Sequence, residues 1–177
     1  MKNRGTILAV ILVLGLGIIF FSISMDRDGK DRPKAVVGLN APELSLKDAS
    51  GSVLNPDELK GSVVFVNFWA SWCQPCRDEM PSIQGLYDHF KGNNKFRVIT
   101  VLYKDGYQSA ARYLKENNLD LPVFIDGDGK SAKAYGISGV PETYIIDKKG
   151  VLFKKFKGPA EWNSPKIVSA LTSMINE

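Results

Sequence analysis

Cysteine and histidine are scarce in this chain of 177 residues: it has two cysteines, Cys73 and Cys76, and one histidine, His89. That scarcity excludes several chemistries. Structural zinc wants four Cys or His ligands, and three such residues cannot supply them. Covalent haem attachment needs a histidine directly after the second cysteine, where Arg77 stands. A bridge between two cysteines separated only by Gln74 and Pro75 removes little unfolded-state entropy, so a purely structural disulfide would contribute little. A large excess of one sign of charge is lacking too. The net charge is +4, of which residues 1–35 carry +3, and no basic patch points to nucleic acid. There is no internal repeat and no low-complexity tract. Asp126-Gly127-Asp128-Gly129 looks like the start of a calcium loop, but Ile137 occupies the place of its bidentate glutamate, so the stretch is read as a turn.

What is present centres on Trp72-Cys73-Gln74-Pro75-Cys76. The pair follows the apolar run Val63 to Trp69 and opens a helical pattern reaching about Lys91. A Cys-x-x-Cys pair where a buried strand turns into a helix is a redox-dithiol signature. A sulfur at a helix N-terminus sits over free backbone N–H groups and the positive end of the macrodipole. Both stabilise the thiolate, which is the nucleophile of disulfide exchange. A second cysteine one turn later can attack the first and release a mixed disulfide.

The N-terminus carries a different signal. Lys2 and Arg4 precede Ile7 to Phe21, fifteen residues without a polar side chain, and Ser22 to Met25 extend the run to nineteen. As a helix this length spans about 28 Å, close to the thickness of a bilayer's hydrocarbon core. Residues 1–25 are therefore expected to form a single-pass signal-anchor, with a cleaved signal peptide as the other reading, since Ser22-Ile23-Ser24 is a weak small-x-small site. Residues 26–35, charged and interrupted by Gly29 and Pro33, read as a linker, and residues 36–177 as one domain. Lys and Arg flank the apolar run on both sides, so their count does not orient it. A working disulfide suits an oxidising compartment, so the expectation is N-terminus inside and domain outside the cell membrane.

Within the domain, Leu44 and Leu46 alternate with polar residues before the turn Ser50-Gly51 and Val53-Leu54, which predicts a hairpin. Asn55-Pro56-Asp57-Glu58 is a helix start. Val63 to Trp69 reads as a central strand covered on both faces, with Asn67 its one polar member. The helix after the cysteines holds Met80, Ile83, Tyr87 and Phe90 at helical spacing. Pro81 predicts a kink in it. A strand at Phe96–Tyr103, a helix at Tyr107–Asn117, a short strand at Leu121–Ile125 and a short helix at Lys130–Tyr135 follow. The hairpin Thr143–Ile146 with Val151–Phe156, and a last helix from Ser164-Pro165, close the chain. Alternating β and α with a closing hairpin and helix predicts an α/β fold, a mixed sheet with helices on both faces.

Three motifs carry a family likeness. They are Asn67-Phe68-Trp69-Ala70-Ser71-Trp72-Cys73-Gln74-Pro75-Cys76, the pattern Cys-x-x-Cys-Arg-x-Glu-x-Pro with Ala41-Pro42 before the hairpin, and Gly139-Val140-Pro141-Glu142-Thr143. Over about residues 36–176 the chain resembles the membrane-anchored ResA/TlpA/CcmG-like thiol-disulfide oxidoreductases of the thioredoxin superfamily. The resemblance implies a thioredoxin-like mixed sheet flanked by helices, with an N-terminal β-hairpin extension and a central αβ insertion at Leu119–Asp126 and the helix before it. It makes Cys73 the exposed attacking thiolate, Cys76 the buried resolving thiol, and Pro141 a cis-proline facing them, with the Val140 backbone free to pair with an extended substrate. Asn67 stands where cytoplasmic thioredoxin carries a buried Asp and cannot titrate. Glu79, one turn after Cys76, is then the candidate proton partner, against the alternative of a solvated surface carboxylate. Glu142 either lines the partner groove or is an exposed loop acid. Trp69 is expected to pack, Trp72 to form the groove rim, and Gln74 and Pro75 to tune the dithiol between them; His89 is read as structural.

The implied activity is that of a protein disulfide reductase tethered outside the membrane, with no cofactor beyond the Cys73–Cys76 disulfide and no metal. The implied substrate is the disulfide of apocytochrome c, reduced so that haem can attach. The implied electron source is a membrane thiol carrier of the CcdA/DsbD kind. A general extracytoplasmic reductase or an oxidant is the alternative within redox chemistry, and a thioredoxin-fold binding module without turnover is the alternative outside it.

Overall fold

The computed structural model describes residues 14, 15 and 35–177. The expected anchor and linker lie outside the described residues apart from Leu14, Gly15 and Ala35. No helix among the described residues is long and apolar enough to cross a membrane.

A mixed five-stranded sheet forms the centre: β1 (Val63–Trp69), β2 (Phe96–Leu102), β3 (Val123–Ile125), β4 (Glu142–Ile146) and β5 (Leu152–Lys157). The spatial order is β3-β2-β1-β4-β5. Among residues 35–177, four α-helices accompany it: α1 (Gln74–His89), α2 (Tyr107–Glu116), α3 (Lys130–Tyr135) and α4 (Pro165–Asn176). The expected α/β architecture is present. β1 runs parallel to β2, from Val63 opposite Phe96 to Trp69 opposite Leu102, and antiparallel to β4. Every residue of β1 is buried, which is why its apolar run is continuous rather than alternating.

The two faces of β1 feed two cores. Val63, Phe65 and Trp69 pack with Met80, Ile83 and Leu86 of α1 and with Leu171 and Ile175 of α4. Val64, Val66 and Phe68 pack with Tyr135, Tyr144, Leu44 and Leu46 on the other side. Asn67 shares the α1 face by alternation.

The chain before β1 closes both sheet edges. Gly38 N–H donates to Leu152 O at 2.8 Å and Leu152 N–H to Leu39 O at 2.9 Å, beside β5. Lys47 N–H donates to Ile125 O at 3.0 Å and Ile125 N–H returns to Lys47 O at 2.7 Å, beside β3. Covering an edge removes a template for pairing with other chains. The expected hairpin is shorter than its pattern, with Lys47 pairing Val53 as an isolated bridge. The Asp48 carboxylate closes its turn, accepting from the N–H groups of Ser50 (2.8 Å) and Ser52 (3.0 Å). The next stretch is a short 3-10 helix, Pro56–Leu59, capped by Asn55.

α1 runs without interruption from Gln74 to His89 with Pro81 inside it. Proline lacks the N–H that would reach the carbonyl four residues back, here that of Arg77. The Tyr113 hydroxyl of α2 supplies the missing donor, 3.0 Å from Arg77 O, and the Arg77 guanidinium lies over the Tyr113 ring. The β2–α2–β3 unit thus adds a parallel strand at the edge and braces the first turns of the helix that carries the cysteines.

Candidate active site

Cys73 and Cys76 form a disulfide, with Cα atoms 5.3 Å apart. Cys73 is the N-cap of α1, and its Sγ accepts from the Cys76 N–H at 3.3 Å. A donor so placed stabilises a thiolate on Cys73 once the bridge opens. Cys76 is fully buried. Cys73 is only 6% exposed, less than an openly accessible nucleophile. The reason is local: its Sγ sits 3.5 Å from the Val140 carbonyl oxygen. The Val140–Pro141 peptide is cis, and the half-buried Val140 meets the dithiol through that carbonyl.

The exposed surface around the cysteines belongs to Trp72, Gln74 and Pro75. Trp72 is 61% exposed, and its indole N–H donates to Lys104 O at 3.2 Å. Ser71 N–H donates to the Asp105 carboxylate at 2.6 Å. The loop after β2 therefore holds the loop before α1, and an apolar ring lies open beside the sulfur. The Gln74 amide turns along the helix to Asp78, at 2.7 Å. His89 is exposed at the far end of α1, with its ring against Phe90.

Glu79 is 3% exposed on the inner face of α1. Three N–H groups converge on its carboxylate. Asn67 Nδ2 donates to Oε1 at 2.9 Å, while Trp162 Nε1 (2.9 Å) and Ala160 N (3.1 Å) both donate to Oε2. Burial pushes the carboxyl above the usual carboxylate range, opposed by these hydrogen bonds from Trp162, Asn67 and Ala160. A carboxyl group raised in this way, one helical turn from Cys76, is suited to exchanging a proton with the thiol.

Glu142 faces the other way. It is the first residue of β4, opposite Phe68 and Lys157. Alternation puts it with Tyr144 on the face away from α1. Its carboxylate accepts from the Tyr144 hydroxyl (2.7 Å) and pairs with Lys155 Nζ (2.8 Å). It is buried rather than an exposed loop acid. Its neighbour Thr143 turns inward to accept from Asn67 Nδ2 at 2.9 Å.

Trp162 is the residue that sequence reasoning missed. It lies in an aperiodic loop before α4, fully buried between Phe65 (4.9 Å) and Phe156 (5.1 Å) in edge-to-face contacts. A lone tryptophan between Gly158-Pro159 and Ser164-Pro165 gave no spacing by which to place it.

A family model described as the AhpC/TSA family matches residues 37–155. The chain belongs to this family. Thiol-disulfide oxidoreductase ResA of Bacillus cereus (strain ATCC 10987 / NRS 248) is 34% identical over 158 residues, covering 89% of this chain and 90% of that protein. Thioredoxin-like protein YneN of Bacillus subtilis is 36% identical over 118 residues, covering 65% of this chain and 68% of its own length. Among solved structures, a putative thiol:disulfide interchange protein DsbE from Chlorobium tepidum matches with a TM-score of 0.66 and 29% identity, covering 81% of this chain and 97% of that one. Family and dithiol together make this protein a thiol-disulfide oxidoreductase acting through Cys73 and Cys76. Among the described residues, no group of Cys, His, Asp and Glu is arranged to hold a metal ion.

Proposed function

We propose that this oxidoreductase works as a reductant on the outer face of the cell membrane, tethered by its N-terminal apolar segment, and that its substrate is the Cys-x-x-Cys-His disulfide of apocytochrome c. The observation that supports proton transfer in this mechanism is the buried Glu79, held by three donors one turn beyond Cys76, and the resemblance to the ResA/TlpA/CcmG-like branch supports the reductant direction. The Cys73 thiolate attacks a substrate sulfur, forming a mixed disulfide and releasing the other substrate sulfur as a thiolate. Cys76 then gives its proton to Glu79. The resulting thiolate attacks Cys73 Sγ, and the second substrate sulfur leaves. The products are a reduced substrate and the Cys73–Cys76 disulfide. Electrons to reopen that disulfide come from a membrane thiol carrier of the CcdA/DsbD kind.

The resemblance to the ResA/TlpA/CcmG-like branch supports apocytochrome c over a general clientele, and the exposed Trp72 beside Cys73 offers a haem-free peptide an apolar docking edge. Partner trapping tests this reading. Cys76→Ala in the full chain leaves Cys73 bound to its substrate, and apocytochrome c is the expected captive. A collection of unrelated proteins without it would overturn the substrate. A reduction potential near that of a strong oxidant, about −120 mV, would overturn the direction.

A further inference from the structure

Asn67 lies in the middle of β1, fully buried and opposite Thr143 of β4. Its Nδ2 is 2.9 Å from Glu79 Oε1 and 2.9 Å from Thr143 Oγ1, one hydrogen for each. Its Oδ1 is buried and has no hydrogen-bond partner among the described residues. A buried acceptor left idle is costly, and in a site this closely bonded it calls for an explanation.

The chemistry of the three partners supplies one. An ionised carboxylate only accepts, so Asn67 must present its nitrogen to Glu79 in that state. A protonated carboxyl group has an O–H to give, and the Thr143 hydroxyl can give as well as accept. An amide turned over about its last torsion exchanges nitrogen for oxygen without changing its volume. Oδ1 would then receive the Glu79 O–H and the Thr143 O–H at the places Nδ2 now serves. The two carboxylate oxygens also differ. Oε2 is held by Trp162 Nε1 and the Ala160 N–H, neither of which can become an acceptor, whereas among the described residues Oε1 is hydrogen-bonded only by the reversible amide.

We propose that Asn67 is a positioning residue that serves both protonation states of Glu79, donating to the carboxylate and, turned over, accepting from the acid, with the proton carried on Oε1. The inference rests on the reading of Glu79 as proton acceptor for Cys76. In the resolving step the Cys76 S–H bond breaks, its proton goes to Glu79 Oε1, and its electron pair forms the bond to Cys73 Sγ as the substrate sulfur leaves as a thiolate. Asn67 turns to hold the new O–H. When the proton passes on to solvent or to the departing thiolate, the amide returns to the orientation of the oxidised protein. An aspartate at this position could accept but, once ionised, could not donate, and would favour one state alone. Among the described residues the groups hydrogen-bonded to the carboxylate carry no charge: they are Asn67 of β1, itself bonded to Thr143 of β4, and the Ala160 amide and Trp162 of the loop before α4. The titrating groups nearby are the cysteines, once the disulfide is open.

The test uses the full chain, oxidised, uniformly labelled with carbon-13 and nitrogen-15 and held in detergent. Glu79 is titrated through its carboxyl carbon while the Asn67 side-chain amide hydrogens are followed by their nuclear Overhauser contacts to Thr143 and Glu79. Those contacts are expected above the Glu79 midpoint and lost below it, with the same midpoint. Contacts that persist through the titration would overturn the proposal. Glu79→Gln separates this failure from the failure of the underlying reading. It is expected to slow the resolving step by on the order of 10²-fold and to leave the Asn67 amide signals independent of pH. If Glu79→Gln keeps the full rate and the same pH profile, the proton-acceptor reading itself falls, and this inference with it. If the variant behaves as expected while the wild-type amide stays fixed, the Asn67 inference alone fails.

Discussion

At the scale of single residues, Glu79 is governed by opposing forces of known sign. Burial raises its carboxyl, and the Trp162 hydrogen bond is the largest influence holding it down. Trp162→Phe keeps an aromatic ring between Phe65 and Phe156 but removes the donor, so the Glu79 titration midpoint moves up; its carboxyl carbon-13 signal reads the shift. The same raised value sets a stability window. A carboxyl group whose folded value lies above its unfolded one contributes stability that is fully present below the unfolded value and lost as pH rises through the folded value. Urea midpoints of the oxidised protein should therefore fall across that window, and Glu79→Gln should flatten the decline. Its place on one helix face with Cys76 and the family resemblance nominated Glu79 together. Its environment was not legible, because Trp162 is 83 positions away in sequence and sits in a loop without periodicity. Tyr113 was hidden for a similar reason. Pro81 announces a missing donor, but nothing in the pattern says which residue replaces it. Tyr113→Phe should cost about 1 kcal/mol in chemical denaturation, with the loss felt at the start of α1.

Among the elements, the long ones were readable and their margins were not. The strands β1 and β2 follow from apolar runs too continuous for a half-exposed sheet, and α1 and α4 follow from their apolar stripes. One residue at the start of β4 decided the place of Glu142. Begun at Thr143, the strand leaves Glu142 in a loop beside Pro141; begun at Glu142, pairing with Phe68 and Lys157 turns its side chain to the face away from the dithiol. There it joins β4 to β5 through Lys155, whose own side chain is mostly covered. Removing one member of a covered ion pair leaves a poorly compensated charge, though Lys157 Nζ also stands 4.0 Å from Glu142 Oε1. Lys155→Ala should therefore destabilise by about 2 kcal/mol, whereas Glu142→Gln with Lys155→Met should cost less, and thermal unfolding of the two distinguishes them.

For the whole molecule, residues 36–54 tie the outer edges of β5 and β3 while laying Leu44 and Leu46 over the second core. Their alternating pattern suggested a hairpin, and the long-range ties replaced most of its ladder with one bridge. The helix order left open which face each helix covers: α1, α2 and α4 share one, and α3 with the N-terminal chain covers the other. The dithiol lies at the rim of β1, between the loop after β2 and the loop before β4. In the proposed function electrons flow outward from this dithiol to a protein disulfide. Mixing the fully reduced protein with a peptide bearing an intramolecular Cys-x-x-Cys-His disulfide, quenching with acid and counting thiols on both partners by mass decides the direction. The expected result is mole-for-mole reduction of the peptide with formation of the Cys73–Cys76 disulfide, abolished in Cys73→Ala. A protein dithiol that stays reduced, or an oxidised protein that instead closes the disulfide of the reduced peptide, would contradict it.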